Sequence, residues 1–156
     1  RKLEQRAGPG YRRSNLAELV GATEALIRAR HGADCHISDA RWLTGGVSKL
    51  QFAFTLTWTP PAGVVTRSPM VLRMESAESL VETSRVREFE ILRALQGVVP
   101  VQPVYWLDAR GEVLPYPAIV YGFMPGVTKP RDATSQASGM GTRLAARWRD
   151  TLGPQF

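Results

Sequence analysis

A pair of glycines followed by a serine is the first feature of this sequence that could bind a ligand. Gly45 and Gly46 form a predicted turn between two extended segments, and glycine lets backbone N–H groups approach a phosphate closely. Ser48 adds a hydroxyl donor beside them. An ordinary hairpin turn is the alternative interpretation, and the spacing fits neither a Rossmann fingerprint nor a Walker loop.

Arg73 is a cation inside the apolar segment 70–74. In an extended chain, Arg73 and Val71 share one face of the strand. A charge among apolar side chains costs free energy unless it is paired or faces a cleft. Arg73 is therefore a candidate for binding an anion, and a position on an exposed sheet face is the alternative.

Glu88 is the carboxylate that could hold such a cation. At about 100° per residue, Glu88 falls on the apolar side of a predicted helix with Leu92, whereas Glu90 points away. A carboxylate on that side needs a partner if it is to stay charged. Arg73 is the predicted partner from the sheet, and Arg85, one turn earlier, is a competing local partner. A purely structural ion pair is the alternative to a binding role.

Hydrophobic periodicity predicts the elements that would carry these residues. An amphipathic helix follows Asn15 and stops near Gly32, and a second helix covers 80–95. Extended segments are predicted at 37–43, 50–58, 70–74, 104–107 and 118–123. The fold class is therefore α+β: a five-stranded antiparallel sheet with one internal helix, preceded by an amphipathic helix. The predicted units are 1–36 (extension and helix), 37–126 (the sheet domain) and 127–156 (a linker and the start of a second lobe).

In this order, the residues resemble the amino-terminal, nucleotide-binding lobe of the aminoglycoside phosphotransferase family, whose fold is kinase-like. The likeness is carried by LTGGVS at 43–48, MVLR at 70–73, REFEILRAL at 87–95, VPV at 99–101 and AIVYGFMPG at 118–126. Two positions depart from the pattern. Lys49 stands where relatives often have Asn, and Arg73 stands where kinases often have Lys. Arginine still holds phosphate, but with a different geometry.

The resemblance implies a role for each matched residue, with ATP as the cofactor. The nucleotide loop would be Gly45, Gly46 and Ser48. Val71 would line the adenine pocket, and Arg73, anchored by Glu88, would contact the phosphates. The backbone of a hinge between two lobes would bind the adenine edge through Tyr121, Gly122, Phe123 and Met124.

The resemblance also implies a reaction, the ATP-dependent transfer of a phosphoryl group to a hydroxyl of a small molecule. The family's catalytic loop, His-x-Asp with a later Asn, and the Asp that binds Mg²⁺ belong to a second lobe. Neither segment occurs in this sequence, and His31-Gly32-Ala33-Asp34 precedes the glycine turn with one residue too many. We therefore expect no catalytic residue, no metal ligand and no turnover from this chain by itself. The alternative is a non-catalytic module, derived from such a kinase, that binds a nucleotide or a protein.

Composition limits the other classes of function. The formal net charge is +6 over 156 residues, but the basic residues are dispersed and no aromatic-plus-basic motif accompanies them, which disfavours nucleic acid as a partner. No apolar run approaches the roughly 18 residues of a membrane span. Cys35 is the only cysteine, so an internal disulfide is excluded and a cytoplasmic location is expected. The expected partners are a nucleotide and a small-molecule acceptor. Exposed surface on an isolated lobe would also allow a homodimer.

Overall fold

A computed structural model describes residues 16–32, 34–43, 49–61, 63–75 and 83–125 of the chain. Within these ranges it has two helices and five strands. In chain order they are α1 (Leu16–His31), β1 (Cys35–Trp42), β2 (Lys49–Trp58), β3 (Thr66–Glu75), α2 (Arg85–Leu95), β4 (Val104–Asp108) and β5 (Ala118–Gly122). The strands form one antiparallel sheet in the order β1-β2-β3-β5-β4. The predicted α+β class and five-stranded antiparallel sheet are confirmed.

One face of the sheet packs against α1. The strict alternation along β2 sends its large apolar side chains to this side, where Phe52, Phe54, Leu56 and Trp58 are buried. On α1, Leu19, Leu26 and Ile27 recur at helical spacing and join the same hydrophobic core. Gly32 ends the helix with φ at 74°, and its N–H donates to the carbonyl of Arg28 at 2.9 Å.

The opposite face packs against α2, which contacts β4 and β5. A smaller apolar cluster forms there. Its buried members are Val104, Ile119 and Tyr121, and the half-buried Phe89, Leu92 and Leu107 pack around them. The sheet thus separates two apolar layers, and Arg73 and Val71 lie on the side of α2.

Two predicted boundaries differ from the structure. The second helix was expected to begin near residue 80, but α2 begins at Arg85 and Thr83 and Ser84 are not helical. Ser84 is the N-cap, because its hydroxyl accepts the backbone N–H of Arg87 at 3.3 Å. The third strand was expected at 70–74, but β3 extends from Thr66 to Glu75 because it pairs with β2 along its whole length.

The chain divides into two compact units, Arg1–Met124 and Pro125–Phe156, and every element named above belongs to the first. Among the described residues, neither helix is both long enough and apolar enough to cross a membrane.

Candidate functional site

The ion pair predicted between Arg73 and Glu88 is present. Arg73 Nη1 lies 2.7 Å from Glu88 Oε1 and donates a hydrogen bond to it. The contact joins the C-terminal part of β3 to the first turn of α2. The two side chains are 30% and 21% exposed, so the pair lies at the margin of the packed region rather than inside it. The buried Nε of Arg73 has no hydrogen-bond partner among the described residues.

Glu88 also contacts two further side chains that fix both of its oxygens. The hydroxyl of Tyr121 donates to Oε1 at 2.5 Å. Arg85 Nη1 lies 2.6 Å from Oε2, as an ion pair rather than a well-directed hydrogen bond. Arg85 therefore does not replace Arg73 as a partner, because the two guanidinium groups hold opposite sides of one carboxylate.

Arg85 is the most deeply buried charge of this cluster, with 2% of its surface exposed. It bonds to the hydroxyl of Thr83, and its Nε lies 3.9 Å from Glu75 Oε2. Two arginines and two glutamates thus lie together, and their formal charges sum to zero. This balance accounts for a buried guanidinium that would otherwise be costly.

The phenol of Tyr121 is held as a proton donor. The ring is buried, and burial raises the pKa of Tyr121 well above its ordinary value. The neighbouring Glu88 carboxylate raises that pKa further, because a phenolate there would face a negative charge. Tyr121 therefore stays protonated and donates to Glu88 throughout the physiological range.

Two rows of side chains cross this face of the sheet. Residues paired across antiparallel strands share a face, so one row contains Ala53, Val71 and Tyr121. The next row contains Gln51 and Arg73. Ala53 is buried and Val71 is half-buried. The row of Arg73 continues to Ile119, which is also buried, so Val71 is the apolar side chain of these rows that a ligand could reach. Ala53 was not identified from the sequence, although it lies on the predicted polar face of its strand as the one apolar residue there.

Two prolines flank the end of β5 and change its hydrogen bonding. The N–H of Gly122 donates to the carbonyl of Pro103 at 2.8 Å, and the N–H of Phe123 donates to the carbonyl of Pro69 at 2.9 Å. In an antiparallel ladder each such partner would donate an N–H in return, but proline has none. The carbonyls of Gly122 and Phe123 consequently lack their ladder donors.

The structure describes some of the other predicted site residues and not the rest. Gly45, Gly46 and Ser48 lie outside the described residues. Tyr121 and Gly122 lie within β5, Phe123 follows it, and Met124 is 55% exposed. The structure therefore brings together Val71, Arg73, Glu88 and Tyr121. Tyr121 joins this group through its hydroxyl, which the sequence did not indicate.

No group of three or more His, Cys, Asp or Glu side chains in the described ranges is arranged to hold a metal ion. The chain matches no protein-family model and no curated protein. The resemblance to aminoglycoside phosphotransferases therefore stays a prediction from the sequence.

Proposed function

We propose that this chain is the nucleotide-binding lobe of an ATP-dependent phosphotransferase that acts on a hydroxyl of a small molecule. The observation that carries the proposal is the ion pair between Arg73 on β3 and Glu88 on α2. Kinase-like enzymes use a cation on the third strand to hold the phosphates and a helix glutamate to hold that cation.

Arg73 has the properties that such a phosphate ligand needs. One guanidinium nitrogen is held by Glu88, and the side chain is still 30% exposed. A guanidinium presents several donors in a planar fork, so one edge can bind Glu88 while another binds a phosphate oxygen. Arg85 already neutralises the second oxygen of Glu88, which leaves more of the positive charge of Arg73 for a ligand.

The base would lie against Val71, two residues before Arg73 on the same face of β3. By the resemblance, carbonyls at the end of β5 would accept from an exocyclic amino group, which adenine has at its edge. Pro69 and Pro103 favour this arrangement because they cannot donate to those carbonyls.

The transfer itself needs groups beyond these residues. The bond from the terminal phosphorus to its bridging oxygen breaks, a bond to the acceptor oxygen forms, and the acceptor's proton passes to a base. By the resemblance, the base is an Asp of a second lobe, and Mg²⁺ held there would neutralise phosphate charge. The part played by this chain is to bind and orient the nucleotide.

Titration calorimetry of the chain with ATP and Mg²⁺ tests the proposal. We expect measurable binding by the wild type and a loss of at least about tenfold in affinity for Arg73→Gln, because one charge-assisted phosphate contact is removed. Arg73→Lys should retain part of the affinity. Arg87→Gln is the matched control, because Arg87 is an exposed arginine of α2.

Two results would contradict the proposal. One is the absence of ATP binding by the folded wild-type chain at millimolar concentrations. The other is equal ATP affinity for Arg73→Gln and Arg87→Gln.

A further inference from the structure

Tyr121 reaches Glu88 from a strand that carries neither Arg73 nor Arg85. Its hydroxyl lies 2.5 Å from Glu88 Oε1, the same oxygen that accepts from Arg73. The ring is 1% exposed and packs within the cluster under α2, so it has little freedom to leave. The position of β5 in the sheet therefore fixes where the hydroxyl lies.

The three partners of Glu88 restrict different movements of its carboxylate. Arg85 holds Oε2 from within α2, so that pair moves with the helix. Tyr121 and Arg73 hold Oε1 from the sheet, so these two contacts fix α2 relative to the sheet. If Arg73 turned towards a phosphate, Tyr121 would be the remaining contact from the sheet to the carboxylate of Glu88 among those the structure describes.

We propose that Tyr121 is a positioning residue for nucleotide binding, whose hydroxyl keeps Glu88 directed at Arg73 and so orients Arg73 towards the phosphates. This inference rests on the proposed function, because it assumes that Arg73 binds phosphate. It assigns to the Tyr121 side chain a role separate from any backbone contact with the base. The role also predicts that α2 is held against the sheet before a nucleotide binds.

Tyr121→Phe removes the hydroxyl and keeps the ring in its packing. The matched control is Tyr105→Phe, which removes a hydroxyl from the neighbouring strand, where the ring is 38% exposed and packs on Trp58 and Trp106. The affinity of each variant is measured for ATP, for adenosine and for inorganic tripolyphosphate. Adenosine has no phosphate and tripolyphosphate has no base, so the three ligands separate orientation of Arg73 from general damage to the site.

We expect Tyr121→Phe to lower the affinity for ATP and for tripolyphosphate by roughly three- to tenfold, which corresponds to the net contribution of one ordinary hydrogen bond. Adenosine affinity should be unchanged, and Tyr105→Phe should match the wild type for all three ligands. Equal ATP affinity for the two variants would overturn the positioning role and leave the proposed function standing. An equal loss of affinity for ATP and for adenosine in Tyr121→Phe would also overturn the positioning role, because that pattern indicates a structural role only. A wild-type chain that binds no ATP would overturn the proposed function, and this inference with it.

Discussion

Glu88 is the residue on which the charged cluster depends. It accepts hydrogen bonds from Arg73 and Tyr121 and forms an ion pair with Arg85, and only Glu75 offers a second carboxylate among the contacts described for the cluster. Removing its charge leaves two guanidinium groups close together without their common counter-ion. The cost of a buried ion pair appears mainly when one partner is lost, because the other charge is then left uncompensated.

At this scale we expect Glu88→Gln to lower the free energy of unfolding by about 2 kcal/mol, a value reduced from that of fully buried pairs because the side chain is partly solvated. Chemical denaturation monitored by circular dichroism measures the change. Glu90→Gln, on the exposed side of the same helix, is the control and should change stability by less than about 0.5 kcal/mol. Similar values for the two variants would show that the cluster does not stabilise the fold.

At the scale of elements, the connection from β4 to β5 is organised by Asp108. Its buried carboxylate accepts the backbone N–H groups of Glu112, Val113 and Leu114 at 2.8, 3.0 and 2.9 Å. Burial alone would raise the pKa of Asp108, but these donors and Gly111 outweigh it and hold the pKa below its ordinary value. Periodicity in the sequence predicted only the two strands on either side, and the hydrogen bonds to this carboxylate hold the connection between them.

The lowered pKa of Asp108 makes stability depend on pH. A group whose folded pKa is depressed stabilises the protein above its unfolded pKa, and this contribution is lost as the pH falls through the folded value. We expect Asp108→Asn to lower the free energy of unfolding by about 2 kcal/mol at pH 7. Below roughly pH 4 the stability of this variant should depend less on pH than that of the wild type. Asp34→Asn is the control, because that carboxylate is fully exposed. If Asp108→Asn lost stability in acid as steeply as the wild type, the loss would not come from Asp108.

The end of β5 also depends on a close approach of two elements. A Cβ at Gly122 would lie 2.7 Å from Cγ of Pro103, nearer than non-bonded carbon atoms approach. We expect Gly122→Ala to displace the segment before β4 and to destabilise the fold by about 1–3 kcal/mol, as overpacking does. Gly21→Ala is the control, since an added Cβ there meets nothing within 4 Å and α1 gains a better helix former. Thermal unfolding of the two variants should therefore shift in opposite directions.

At the scale of the described domain, the sheet separates a stabilising face from the candidate binding face. Leu26 of α1 is fully buried on the first, and Arg73 lies on the second. We expect Leu26→Ala to lower the free energy of unfolding by about 2–5 kcal/mol, because it leaves a cavity in the core. ATP affinity, measured below the unfolding transition, should stay within about twofold of the wild type, because the sheet lies between the two sites. Ile91→Ala, at a side chain that is 58% exposed on α2, is the control for stability. A large loss of ATP affinity in Leu26→Ala would show that the faces are coupled.

Most of the elements could be predicted because their signals are local. The alternation in β2 and the helical spacing in α1 each follow from side chains a few residues apart. The start of α2 was placed too early because apolar periodicity continues before Ser84, and only the capping hydrogen bond shows where the helix begins. The length of β3 was underestimated because pairing with β2, a non-local interaction, extends it.

The sequence by itself predicted the contact between Arg73 and Glu88, because a charge on each apolar stretch needs a partner, but it left Arg85 as a competing partner. The proposed phosphotransfer would need catalytic groups beyond these residues, since His31 and His36 are the only histidines in the sequence and both precede the glycine turn. Only the tertiary structure decided that Arg85 is buried beside Glu75 and that the Tyr121 hydroxyl reaches Glu88. These contacts join residues from β3, α2 and β5, and their distances depend on strand order and register, which no local pattern encodes.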